Sequence, residues 1–261
     1  MLRLKWTPLD GWRRFFGEVG IIVLGVLVAV GLGAIATEIG WRQDVARTRE
    51  ALSFEFGEAI GQGRDTVNVA PCVEQRLDEL SQIIASAERD GRLPPLGSIG
   101  NPSWRTWDSG VWESAVAAQT ASHFPREDAI GIVSFYSFVT ILRESTSREL
   151  DVWTRLFTLV GPGRPFTPDE AASLNAAIGE ARMVHRLMSL AAIRAEQIAS
   201  MNGLTHDQPT ARKYTDQPIA DRPICMPISP EVPAAYGQAP FRGIIERARA
   251  NPLTKTPSIG R

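Results

Sequence analysis

The sequence predicts an all-α protein: one N-terminal transmembrane helix continuing into an irregular antiparallel helical bundle, with a Pro-rich C-terminal strap. Three observations predict it. Residues 19–37 are nineteen consecutive positions without a charge. Several later segments place apolar residues three and four apart, and none sustains the period-two alternation of a strand. Nine of the eighteen prolines fall after residue 203, where they forbid a long helix. The expected organisation is a short cytoplasmic basic segment at 1–18, a transmembrane helix at 19–39, a helical bundle at 40–203, and a tail packed on it at 204–261.

Charge narrows the function classes. Lys+Arg is 28 and Asp+Glu is 29, spread evenly, so no basic surplus points to nucleic acid. A hydrophobic content of 44% is ordinary for a chain that builds a core.

The apolar run is the first element. Nineteen helical residues span about 28 Å, close to the hydrocarbon thickness of a bilayer. Trp12, Phe15 and Phe16 flank it on one side and Trp41 on the other, as in an aromatic belt. A cleavable leader is one competing reading, because basic residues precede the run and Ala34-Ile35-Ala36 resembles a cleavage site, and a buried helix of a soluble protein is the other. The run is longer than a leader core, however, and Thr37 to Ile60 continues as helix without a break. An anchor is therefore expected. Arg3, Lys5, Arg13 and Arg14 precede the span and Arg42, Arg47 and Arg49 follow it, a lean toward a cytoplasmic N-terminus and an exported bulk. Gly25, Ala29 and Gly33 place small residues every fourth position. Such a stripe lets two membrane helices approach, so a homodimer through the span is one expected partnership. The competing reading is the ordinary abundance of glycine in membrane spans.

The later helices follow in order. Gly61-Gln62-Gly63 is expected to end the first helix. The next covers Val67 to Glu88, with Val73, Leu77, Leu80, Ile83 and Ile84 on one side and Gly91 with Pro94-Pro95 as the stop. Trp104 to Ala121 is expected to be largely helical, with a kink at Gly110. Pro125 opens a helix running toward Val160, with Gly161-Pro162-Gly163 ending it. Within it, Ala129 to Leu142 has no charge and is read as the central buried helix. Thr167-Pro168-Asp169-Glu170 is a capping box. The helix it starts carries Leu174, Ile178, Ala181, Val184, Met188, Ala191, Ala195 and Ile198, and Gly203 stops it. In the tail, Phe241 to Ala250 is expected to form a short helix.

Chemistry-bearing motifs are scarce. His123, His185 and His206 lie far apart, so no helical metal pair forms, and no nucleophile elbow, zinc-protease motif or phosphate loop occurs. His185 lies between Arg182 and Arg186 and reads as part of a solvated face. No catalytic residue, metal or cofactor is expected. The most unusual composition is "WRTWDSGVWES", which puts Trp104, Arg105, Trp107 and Trp112 together. Trp and Arg are frequent interface anchors, so these four are the candidate ligand- or partner-binding residues. The competing reading packs the tryptophans in the core. Cys72 and Cys225 have no metal-like spacing and are expected to pair in an oxidising compartment.

"FFGEVGIIVLGVLVAVGLGAIATEIGWRQD" followed by "REALSFEF" resembles the start of uncharacterised bacterial proteins with one N-terminal span. The shared features are Gly17-Glu18, the apolar helix, Trp41-Arg42 and a charged helix after them. "CVEQRLDEL", "ASHFPRED" and "VHRLM" are similar to one branch of that group. The resemblance implies an inner-membrane anchor and a helical exported domain, and it supplies no catalytic residue. The expected function is scaffolding or interaction with another protein of the cell envelope. A ligand-binding bundle using the tryptophan cluster, and an enzyme with an unrecognised site, are the alternatives.

Overall fold

The computed structural model describes residues 12–231. The expected helix at 241–250 and most of the basic segment at 1–18 lie outside them.

The protein is all-α. Helix α1 (Trp12–Asn68) is the longest element. It is long and apolar enough to cross a membrane, by length and composition, with a mean hydropathy of 2.8 over its most apolar stretch and none of that stretch buried. Burial begins at Val45, and from Leu52 onward the same helix is part of the core. Gly61 and Gly63 do not end it. A Cβ on Gly61 would lie 2.5 Å from the Ala211 carbonyl oxygen, and one on Gly63 would lie 3.2 Å from the Ala192 Cβ. These glycines are notches for neighbouring segments. The interruption comes later, at Val69, two residues before Pro71, whose missing N–H removes one bond from the ladder. Helix α2 (Ala70–Asp90) then runs to Gly91, which takes the left-handed conformation (φ 65°) expected of a helix stop.

Helix α3 is short (Gly110–Ala117), and α4 (Arg126–Leu156) and α5 (Pro168–Met201) are the other long helices. The Thr167 hydroxyl accepts the Glu170 N–H at 3.3 Å, so the capping box forms. Ion pairs fix the directions. Arg182 pairs with Asp78 at 2.8 Å and Arg64 with Glu196 at 2.7 Å, so α5 runs antiparallel to α1 and α2. Helix α4 packs along α5 and runs opposite to it, with Glu149 beside His185 and Arg155 paired with Glu180. The Ala129–Leu142 stretch is not buried on all sides: Phe135, Val139 and Leu142 face the core while Ile130 and Val133 are exposed.

Two straps complete the bundle. Residues 91–109 descend from the end of α2 to α3. Residues 204–231, including α6 (Gln208–Arg212), climb back along α1. Antiparallel bridges tie the straps down. β1 (Arg92–Leu93) pairs with β2 (Arg164–Pro165), and Ser98 pairs with Ser229. Pairings of two residues carry no periodicity, so the sequence did not announce them. Two apolar clusters result. One is built on Leu52, Phe56, Phe135 and Met188. The other is built on Leu77, Leu80, Ile84, Trp153 and Leu156.

Candidate functional site

The descending strap carries the candidate residues. It is not helical between Asn101 and Ser109, and α3 begins only at Gly110. The local pattern is overridden by side chains from two helices. The Gln62 amide on α1 donates to the Thr106 carbonyl at 2.7 Å and accepts the Thr106 N–H at 2.9 Å. Arg143 on α4 donates to the Trp107 carbonyl at 2.8 Å and to the Ser109 hydroxyl at 2.7 Å. With its backbone bonds made outward, the segment has no need of a helical ladder. Helix α3 is capped from afar: Glu55 Oε2 accepts the Val111 N–H at 2.9 Å, and Glu55 Oε1 accepts the Tyr136 hydroxyl. Burial, reinforced by that carboxylate, pushes the Tyr136 phenol far above its ordinary range.

The tryptophans therefore do not share one helical face. Trp107 is 3% exposed and donates its indole N–H to Thr146 Oγ1 at 2.7 Å. Trp112 is 9% exposed and meets Phe124 edge-on. Both belong to the core. Trp104 is 67% exposed and stands alone among the three as a surface residue. It borders a cavity of about 70 Å³ whose walls include Glu149, Leu150, Trp153 and Phe157.

Arg105 enters the interior instead. It lies in a charged layer in which Asp65, Arg105, Glu149 and His185 are all buried. Arg105 stands 3.3 Å from Asp65 and 3.7 Å from Glu149. His185 Nδ1 is 3.1 Å from Glu149 Oε1, and Arg222 from the ascending strap reaches Asp65 Oδ1 at 2.8 Å. Two carboxylates thus meet two guanidiniums, so the formal charges cancel and burial is tolerated. Sequence reasoning missed this layer, reading His185 as solvated. The signal was present: His185 falls into the three- and four-residue spacing of Ala181, Met188 and Ala192, the buried stripe of α5. Arg182 and Arg186 flank it on the outside, where they pair with Glu74 and Asp78.

The remaining candidates sit elsewhere. Cys72 and Cys225 have Cα atoms 4.9 Å apart and sulfurs at covalent distance, 2.09 Å. Gly25, Ala29 and Gly33 lie on the bare part of α1, where a Cβ on Gly25 or Gly33 would meet nothing. His123 stacks on Trp41, with ring centroids 4.0 Å apart. His206 is held below its ordinary pKa, first by partial burial and then by Arg64. Among the described residues no group of His, Cys, Asp and Glu is arranged to hold a metal.

No family model, no curated protein and no solved structure matches this chain.

Proposed function

We propose that the protein is a single-pass bacterial inner-membrane protein with a helical periplasmic domain that holds another envelope protein. The observation that carries this reading is the outer face of α5. Met183, Leu187 and Leu190 are exposed at three- and four-residue spacing, on a helix whose opposite face is core. Bare apolar stripes of this kind mark contact surfaces. The bare apolar part of α1 supports anchoring, because cleavage after Ala36 would cut inside a helix that feeds the core. The Cys72–Cys225 proximity supports an oxidising compartment. The role is binding, with no catalytic step assigned.

The test is in-cell crosslinking from α5. A photocrosslinker at Leu190 yields one discrete adduct, and Leu187→Glu abolishes it while helicity is unchanged. Crosslinking only to lipid or to nothing would contradict the reading.

A second reading has its own observation. Among the described residues the buried Trp153 Nε1 donor has no partner, and Trp153 lines the cavity beside Trp104 with Glu149. A small molecule with both an acceptor and a donor fits that wall. A ligand-dependent change in tryptophan fluorescence that Trp104→Ala removes would favour it.

A further inference from the structure

At the foot of the bundle, where α1 leaves its uncharged stretch, a cleft of about 340 Å³ opens. Its lining includes Glu38, Trp41, Arg42, Arg49, His123 and Pro125. Two arginines line it with one acidic lining residue, Glu38, and a second carboxylate, Asp128, lies against Arg49.

The geometry leaves the cations available. Arg42 pairs through Nε with Glu38 at 2.8 Å, and Arg49 through Nη2 with Asp128 at 2.6 Å. Each pair engages one nitrogen of a group that carries five N–H donors. All four side chains are substantially exposed, so both pairs are weak and open to competition. The Trp41 ring, stacked on His123, forms an aromatic wall beside them.

Position decides what fits. The uncharged run ends at Thr37. Trp41 and Arg42 lie four and five residues later, about 6–8 Å further along a helix. A headgroup layer is about 5–8 Å thick on each side of the hydrocarbon. The cleft therefore meets a bilayer at the depth of its phosphates, and tryptophan is the side chain that favours that depth.

We propose that this cleft seats the phosphate of an anionic phospholipid, with Arg42 and His123 as donors and Trp41 against the glycerol and upper acyl region. The site would set the height and tilt of the bundle on the membrane. This inference rests on the anchoring reading above.

The test uses the full-length chain in nanodiscs of phosphatidylcholine with a minor fraction of phosphatidylglycerol, with the bound annular lipid measured by native mass spectrometry. The expected result is enrichment of phosphatidylglycerol, falling by about fivefold in Arg42→Gln, from the worth of one basic group at a membrane surface, and falling also in His123→Ala, which removes the second donor. Arg89→Gln, at the far end of α2, should leave it unchanged. Equal retention of the two lipids, or equal loss in all three variants, would overturn the site. Displacement of phosphatidylglycerol by millimolar inorganic phosphate would assign the cleft to a free anion and overturn the lipid assignment. A chain that does not enter nanodiscs would sink the anchoring reading itself, an outcome distinct from insertion without lipid preference.

Discussion

Arg222 Nη2 lies 2.8 Å from Asp65 Oδ1, which joins the C-terminal strap to the last turn of the longest helix. Asp65 is buried, and Arg105 reaches it from the descending strap. One carboxylate thus collects both straps. Removing one partner of a buried ion pair leaves the other charge uncompensated. Arg222→Met is predicted to destabilise the domain by about 3 kcal/mol, the low end for such a deletion because Arg105 remains. Urea unfolding followed by circular dichroism measures it. A change within about 0.5 kcal/mol would show that the pair has no structural weight.

The Cys72–Cys225 bridge closes a sequence separation of 153 residues three positions beyond Arg222. A loop of that length is worth up to roughly 5 kcal/mol in the chain-entropy model. Reduction, or the Cys72→Ser/Cys225→Ser double variant, is predicted to lower the melting temperature. It should also open residues 204–231 to proteolysis before the helices. Identical digestion patterns with and without reductant would contradict this.

The segment of α6 and Tyr214 packs closely on α1 at Gly61, where a Cβ would lie 2.5 Å from the Ala211 carbonyl and 2.8 Å from the Tyr214 ring. Overpacking at such contacts costs about 1–3 kcal/mol. Gly61→Leu is predicted to reach or exceed the top of that range and to increase hydrogen exchange in 207–215. Gly179→Ala, where a Cβ meets nothing, is the control. Equal stability of the two variants would refute the close packing of the strap.

The tryptophans separate by role. Trp107→Ala removes a buried ring and its bond to Thr146, at a cost of about 3–5 kcal/mol. Trp104→Ala removes an exposed ring and should stay within about 0.5 kcal/mol of wild type. Chemical denaturation of both variants decides it. A large loss in Trp104→Ala would place that residue in the core.

Acid stability rests on two carboxylates. Hydrogen bonds from Arg164 hold the Glu170 carboxyl below its ordinary range, and hydrogen bonds from Thr210 do the same for Asp207. A carboxyl whose folded pKa is lowered stabilises the fold above its unfolded value of about 4, and that contribution is lost as pH falls through the folded value. Glu170→Gln and Asp207→Asn should therefore melt lower than wild type at pH 7. The gap should close as pH falls below about 4. A gap that persists in acid would place the effect in packing.

The helices were legible where apolar spacing and stop signals agreed. Leu77, Leu80 and Ile84 with Gly91 marked α2, and Thr167 with Glu170 marked the start of α5. The strap at 101–109 was not legible, because Gln62 and Arg143 hold it from distant parts of the chain. The paired glycines misled for the same reason: Gly61 and Gly63 answer to Ala211 and Ala192, not to a helix end. In the candidate site, the Trp and Arg cluster stands out by composition alone. It did not reveal that Trp107 and Arg105 turn inward while Trp104 stays out, since that depends on which helices lie behind each residue.

The account stands or falls on α1 as a retained anchor. The most direct measurement is the N-terminal sequence and alkaline-carbonate partitioning of the protein isolated from its native host. The account predicts that residues 1–36 remain attached and that the chain stays in the membrane pellet. A soluble chain beginning at Thr37 would contradict it, and would remove with the leader both the small-residue stripe and the lipid cleft's footing in the bilayer.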